Sequence, residues 1–168
     1  MPENNRELSL LFREEVKPED RQAVGRLVRA TGFFSEEEIG IAVELVEERL
    51  AKGDGSGYSF LFAEEENRLI GYTCFGPIPG TVHSFDLYWI AVDPGEQGRG
   101  LGRKLMAMSE RLIVQRGGMR VYADTSSRSQ YEPTRSFYLS CGYLQEALLI
   151  DFYAPGDGKV IFVKPLPA

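Results

Sequence analysis

The sequence predicts an α/β fold, one mixed sheet covered by helices, and three observations lead there. Apolar patterns of period two and period 3.6 follow one another in the order β, α, α, three strands, α, β, α, two strands, which a purely parallel α/β fold does not produce. Turn-forming residues separate these segments, as at 53–57, 77–80 and 155–158. At 168 residues and 43% hydrophobic content, the chain has the size of one domain with a substantial core. A single domain over residues 1–168 is therefore expected.

Each element has its own signal. Leu8, Leu10 and Phe12 alternate with Ser9, Leu11 and Arg13, predicting a first strand that ends near Val16. Pro18 suits a first helical position, and Ala23, Val24, Leu27 and Val28 keep helical spacing up to Gly32. Ser35 with Glu38 forms a capping box and Phe34 with Ile39 has staple spacing. They predict a second helix to about Lys52, with Ile39, Ala42, Leu45, Val46 and Leu50 inward.

Residues 58–63 and 69–75 read as a hairpin turning at Glu66 and Asn67. A long β-prone run, 84–92, stops at Asp93, Pro94 and Gly95. The helix after it repeats Leu101, Leu105, Met108 and Leu112 on one face and ends at Gly117 and Gly118. A strand at 119–124 comes next. Pro133 then opens a helix that runs to Cys141 and is stopped by Gly142. Strands at 143–153 and 159–163 close the chain around the turn 155–158.

Composition narrows the function classes. The net charge is -6, and Lys and Arg are interspersed with acids, which argues against nucleic acid and fits an amine-bearing partner better. The start, MPENNRELSL, lacks the features of a signal peptide and no apolar run reaches membrane-spanning length, so a cytoplasmic location with no membrane partner is expected. Cys74 and Cys141 match no metal spacing; both read as core thiols, and no metal is expected.

The most informative segment is IAVDPGEQGRGLGRK, from Ile90 to Lys104, where a strand passes into a helix through three glycines. A helix start presents unpaired N–H groups and a positive dipole end, and glycine lets a ligand come close to the backbone, so the turn suits a diphosphate. Two better-known phosphate motifs fail. A Walker loop needs Gly-Lys followed by Ser or Thr, and a dinucleotide fingerprint needs glycine where Arg103 stands.

Gln97, Gly100 and Gly102 do match Gln/Arg-x-x-Gly-x-Gly/Ala, and in this the sequence resembles the GCN5-related N-acetyltransferases (GNAT). YEPTRSFYLSCGY, from Tyr131 to Tyr143, resembles the family's later helix through Phe137, Tyr138, Gly142 and Tyr143. The resemblance spans nearly the whole chain, from the Leu8 strand to Val163. It implies the acyl-CoA N-acyltransferase fold: a mostly antiparallel mixed sheet of about seven strands, flanked by about four helices. It also implies acetyl-CoA as cosubstrate. Backbone amides of Gly98, Arg99, Gly100, Leu101, Gly102 and Arg103, following Gln97, would cradle the pyrophosphate, while the main chain of Ile90, Ala91 and Val92 would hold the pantetheine arm.

For the side chains of Arg99, Arg103 and Lys104, a phosphate contact and plain solvation are equal alternatives. Family members often carry Asn seven residues before the tyrosine, where this chain has Tyr131. Arg135 faces either the coenzyme or solvent.

The resemblance gives Tyr138 the role of protonating the departing thiolate. An alkylammonium acceptor must also lose a proton before it attacks. Alternation puts Asp86, Tyr88, Ile90 and Val92 on one side of their strand, and Asp86 stands where histone-acetyltransferase relatives carry a glutamate base. Asp124, His83 and a water chain are the alternatives. An amide near Val92 would polarise the carbonyl. A covalent route through Cys141 competes with its reading as a helix-end thiol.

The expected activity is direct acetyl transfer to a primary amine of a small molecule or peptide. A catalytically silent CoA-binding sensor of the same fold is the alternative. Phe33, Phe34, 77–83 and 152–155 are expected to form the acceptor pocket. Amino acids, peptide amino termini, polyamines and aminoglycosides all stay open as acceptors. A homodimer through the carboxyl-terminal hairpin is a further expectation.

Overall fold

The computed structural model describes residues 9–167, so Leu8 and most of the amino-terminal stretch lie outside the described residues. The elements follow the expected order: β1 (Leu10–Arg13), α1 (Asp20–Ala30), α2 (Glu36–Lys52), β2 (Ser59–Glu65), β3 (Arg68–Pro77), β4 (Ser84–Val92), α3 (Leu101–Gln115), β5 (Arg120–Ser126), α4 (Glu132–Ser140), β6 (Leu144–Ala154) and β7 (Asp157–Pro165). The strands form one sheet in the order β1-β2-β3-β4-β5-β7-β6. The pairs β1–β2, β2–β3, β5–β7 and β6–β7 are antiparallel, and β4–β5 is parallel. The chain divides into two compact units. Among the described residues, one comprises 9–75 with Trp89–Ser109, the other Gly76–Tyr88 with 110–167.

In the first unit, Phe60, Phe62 and Tyr72 stack on β2 and β3 with centroids 5.4 to 6.3 Å apart. Val24, Leu27, Val28, Ala42 and Val46 of the two first helices are also buried. β1 ends at Arg13 instead of near Val16. The Arg13 guanidinium turns there to Asp20 at 2.6 Å and Glu64 at 2.7 Å, tying β1 to α1 and β2. The capping box of α2 is formed: Ser35 Oγ accepts from the Glu38 amide at 3.2 Å, and Glu38 Oε2 accepts from the Ser35 amide at 2.7 Å. Phe34 sets its ring edge-on to Trp89, 4.9 Å between centroids.

The β2–β3 turn sits where expected, with Glu66 and Asn67 at φ 52 and 62, a left-handed pair suited to a two-residue hairpin. A side chain at Gly71 would lie 2.9 Å from Leu105, so this glycine lets β3 approach α3 closely. The buried residues of α3 run through Leu101, Leu105, Met106, Ser109 and Ile113, while Met108 and Leu112 are only half-buried. The expected single stripe is thus displaced by about one position, and the polar Ser109 enters the core because its hydroxyl lies 2.6 Å from that of Thr73.

In the second unit, Val121, Ala123, Val160, Phe162, Tyr138 and Tyr143 form the core. The parallel ladder of β4 and β5 pairs Ser84 with Arg120, Phe85 with Val121 and Asp86 with Tyr122. β5 continues the register into β7: Tyr122 opposes Val163, Asp124 opposes Ile161 and Ser126 opposes Lys159. Opposed residues project to one side of a sheet. Asp86, Tyr122, Asp124, Ser126 and Lys159 therefore share a face. Phe162 projects to the other, where the Tyr138 ring of α4 lies 5.4 Å from it.

β6 is an edge strand, and its pairing with β7 jumps from Leu149↔Lys159 to Ala154↔Asp157. Ile150, Asp151, Phe152 and Tyr153 bulge out between, with Asp151 at φ 55 and its carboxylate accepting the Gly156 amide at 2.8 Å. Cys74 is a core thiol as expected, whereas Cys141 is half-exposed at the end of α4. Among the described residues no helix is long and apolar enough to cross a membrane.

Candidate active site

The glycine turn belongs wholly to the first unit. Asp93 anchors its entrance. The Asp93 amide donates to the Ile70 carbonyl at 2.8 Å, its Oδ1 accepts from the Gly95 amide at 2.8 Å, and its Oδ2 accepts from Arg68 at 2.6 Å. A single 3-10 turn, Pro94–Glu96, then delivers the chain to Gln97. Gly98 and Gly100 both have left-handed backbones, φ 78 and 80. A Cβ built on either would meet nothing within 4 Å, so the turn borders open space.

The helix begins directly after, and Lys104 makes the first closing bond, its amide donating to the Gly100 carbonyl at 3.1 Å. Among the described residues, the amides of Gly98, Arg99, Gly100, Leu101 and Gly102 donate to no carbonyl. Two left-handed glycines beside a run of unpaired helix-start amides give the positive, close-approach surface that a diphosphate needs. The residues present fit that group. The basic side chains divide: Arg99 pairs with Glu96, and Lys104 lies 5.3 Å above the Phe12 ring, so both have intramolecular partners. Ile90, Ala91 and Val92 form the end of β4 leading into this turn.

A second cluster belongs to the second unit. Tyr138 is 6% exposed, its ring among Phe137, Tyr143 and Phe162 with centroids 5.4 to 6.0 Å away. Its hydroxyl takes no hydrogen bond from any described residue. Burial, followed by the charges of Asp124 and Cys141, raises its pKa well above the ordinary tyrosine value, so the hydroxyl stays protonated. Asp86 is half-buried, and no described residue gives it a hydrogen bond or ion pair. Burial and then the nearby Asp124 carboxylate push its pKa up to about 6, against the opposing pull of Lys159.

Among the other candidates for the base, Asp124 is engaged with Lys159 at 3.0 Å. His83 donates from Nδ1 to the Gly117 carbonyl at 2.9 Å, and its own carbonyl accepts from the Met119 amide at 2.8 Å. That histidine thus ties the loop before β4 to the turn between α3 and β5. Arg135, read as facing coenzyme or solvent, donates from Nη1 to the carbonyls of Ser126 at 2.7 Å and Arg128 at 2.9 Å, holding the loop before α4. The structure thus brings Asp86, Asp124 and Tyr138 into one electrostatic neighbourhood. Lys159, absent from the sequence-derived candidates, completes it. Only the β5–β7 register could have revealed it, because a lysine early in a predicted strand carries no signal of its own.

No curated protein matches the sequence. The family model for the acetyltransferase (GNAT) family matches residues 23–143. A crystal structure from Desulfovibrio desulfuricans, itself assigned to the GNAT family, is similar with 44% identity and a TM-score of 0.92, over 94% of this chain and 99% of that one. An aminoglycoside 6'-N-acetyltransferase complexed with coenzyme A shares the fold at 18% identity and a TM-score of 0.75, covering 94% of this chain and 98% of that one. So does the ribosomal-protein-S18-alanine N-acetyltransferase of Escherichia coli, at 18% identity and a TM-score of 0.70, covering 95% of each chain. Both expected motifs lie inside the matched span, and the seven-stranded mixed sheet with its four helices is the acyl-CoA N-acyltransferase fold: the chain belongs to the GNAT family of acetyltransferases.

Proposed function

We propose that residues 1–168 form one N-acetyltransferase domain that moves the acetyl group of acetyl-CoA directly to a primary amine of a small molecule or peptide. The observation that carries this reading is the turn at Gly98 and Gly100, with two left-handed glycines and adjoining amides that, among the described residues, donate to no carbonyl. Coenzyme A supplies the activated thioester. The amides of residues 98–103, after Gln97, hold its pyrophosphate, and the main chain of Ile90, Ala91 and Val92 holds its pantetheine arm.

Asp86 takes the proton from the acceptor ammonium, directly or through one water. The amine nitrogen then forms its bond to the acetyl carbon as the carbon–sulfur bond breaks, with the Val92 amide hydrogen-bonded to the carbonyl oxygen. The electron pair of that bond leaves on sulfur, which receives the Tyr138 proton; solvent restores the phenol. An acid with a raised pKa is a reluctant donor. Tyr138 therefore contributes by hydrogen-bonding the sulfur as charge builds, with full transfer only as the bond cleaves.

The experiment is release of free thiol from acetyl-CoA in the presence of an amine panel, with Tyr138→Phe as control. Release that depends on both the amine and Tyr138 supports the reading. Coenzyme binding without release for any amine would favour the silent CoA-binding sensor instead. The edge strand β6 exposes Leu144, Leu148, Leu149, Ile150, Phe152 and Tyr153, each between 41% and 79%. An apolar edge of this length favours pairing with a second copy, and sedimentation as a monomer at micromolar concentration would count against that.

A further inference from the structure

The face of the second unit that carries Asp86 also carries Asp124 and Arg120 of β5 and Asp157 and Lys159 of β7 by the strand register; Asp157 accepts from Ser126 Oγ, and Lys159 is already committed. Lys159 reaches from β7 across to Asp124 of β5, 3.0 Å between Nζ and Oδ2. The same Nζ lies 4.6 Å above the centroid of the Phe152 ring. A carboxylate on one side and an aromatic face on the other is the arrangement that recognises an ammonium group. Here the protein fills it with its own side chain. Phe152 is presented by the β6 bulge and braced edge-on by Tyr153, 5.0 Å between centroids. Asp86, by contrast, keeps its carboxylate unpaired among the described residues.

We propose that Lys159 determines the class of acceptor: with Asp124 neutralised by Lys159 and Asp157 held by Ser126, Asp86 is the carboxylate left without a partner to meet an incoming ammonium, so the site selects amines with a single positive charge over diamines and polyamines. A second ammonium on the acceptor would approach a face that already carries the fixed cations Lys159 and Arg120, with Asp124 paired and Asp157 held by Ser126, and like charges meeting there select against it. The aromatic rings of Phe152 and Tyr153 suit an apolar body on the acceptor instead. Lys159 touches neither the acetyl group nor the transferred proton, and acts as a positioning residue. This inference rests on the reading of Asp86 as the group that meets the acceptor nitrogen.

The test compares butylamine with 1,4-diaminobutane, equal in carbon count and differing by one ammonium group, as acceptors for the full chain and for Lys159→Met. The wild type is expected to favour butylamine in kcat/KM, and Lys159→Met to shift the ratio toward the diamine by roughly tenfold or more. Lys159→Arg, which restores the cation, should return the ratio to the wild-type side.

The pH profile gives a readout that simple loss of packing would not move. Arg120 and Asp124 of β5 and Asp157 and Lys159 of β7 share the face of Asp86, and of these Asp124 and Lys159 act on its charge, so removing Lys159 moves the acid limb of kcat to higher pH. Asp124→Asn is the second variant and should strengthen discrimination against the diamine. A ratio unchanged in Lys159→Met, or a wild type that prefers the diamine, overturns the inference. Calorimetric titration with the same two amines makes the comparison without turnover. If no thiol is released but butylamine binds more tightly than the diamine, and Lys159→Met reverses that order, acetyl transfer fails while the role of Lys159 stands.

Discussion

Tyr138 and Phe162 hold their rings 5.4 Å apart on the side of the second unit's sheet opposite to Asp86 and Asp124. The ring is thus anchored on the side away from the proposed base, while the hydroxyl still feels the Asp124 charge. Tyr138 and Asp86 can be altered separately, because neither packs on the other.

Replacing Tyr138 by Phe keeps the ring in its buried setting and removes a hydroxyl that no described residue binds. Stability should change by less than about 1 kcal/mol, since no internal hydrogen bond is lost. With acetyl-CoA and a reactive amine, kcat should fall about 100-fold with coenzyme affinity unchanged, as measured by steady-state kinetics and calorimetry. A fall in affinity equal to the fall in kcat would assign Tyr138 to binding rather than to protonation.

Asp86 gives the reaction an acid limb. Its acting form is the carboxylate, and with the pKa pushed up to about 6 that form is lost as pH drops through 6. The kcat profile should therefore be level above this point and fall below it. Asp124→Asn removes a charge that raises the pKa and should move the limb to lower pH. Asp86→Asn should abolish the limb and most of the rate, and a limb that survives in Asp86→Asn would sink the assignment.

Gly100 is held at φ 80, where any other residue except Asn or Asp is strained. Gly100→Val should cost about 1–2 kcal/mol in folding, read by denaturant titration. Calorimetry should show coenzyme A affinity reduced more than tenfold, because the branched side chain projects into the open space that the diphosphate would use. Unaltered affinity in a folded variant would remove the turn from the binding site.

Thr73 and Ser109 form a closed hydroxyl pair in the core of the first unit, 2.6 Å apart. Ser109→Ala strands the Thr73 hydroxyl and should destabilise the protein by about 1–3 kcal/mol. Thr73→Val combined with Ser109→Ala removes both polar groups and should recover part of that loss. Urea denaturation of the two single variants and the double variant checks the coupling, which is absent if the losses simply add.

Local chemistry made much of the fold legible. Ser35 and Glu38 set the start of α2 within a few residues, so their signal survives without knowledge of the rest of the chain. Leu101 and Leu105 placed α3, yet the buried side extends to Met106 and Ser109, because a partner across the core, Thr73, decides which polar side chain is admitted. The length of β1 depended on Arg13 finding Asp20 and Glu64, a contact spanning 51 positions for the second partner. Arg135 is spoken for by the same kind of contact, bonds to the carbonyls of Ser126 and Arg128 at and just past the end of β5. The glycine turn was readable because its geometry is encoded locally. Lys159 was not, since its meaning arises only when β7 lies beside β5.

The bulge in β6 separates two demands that strands usually confound. The ladder residues on either side, Leu149 and Ala154, keep β6 registered against β7, while the four residues between them make no ladder pairs. Exchanges at Ile150, Phe152 or Tyr153 can therefore alter the proposed acceptor surface without disturbing strand order. Asp151, pinned to the Gly156 amide, keeps the protrusion in shape while its neighbours vary. A family that shares one coenzyme and serves many amines could diversify through such a segment, the chemistry staying fixed as the clientele changes.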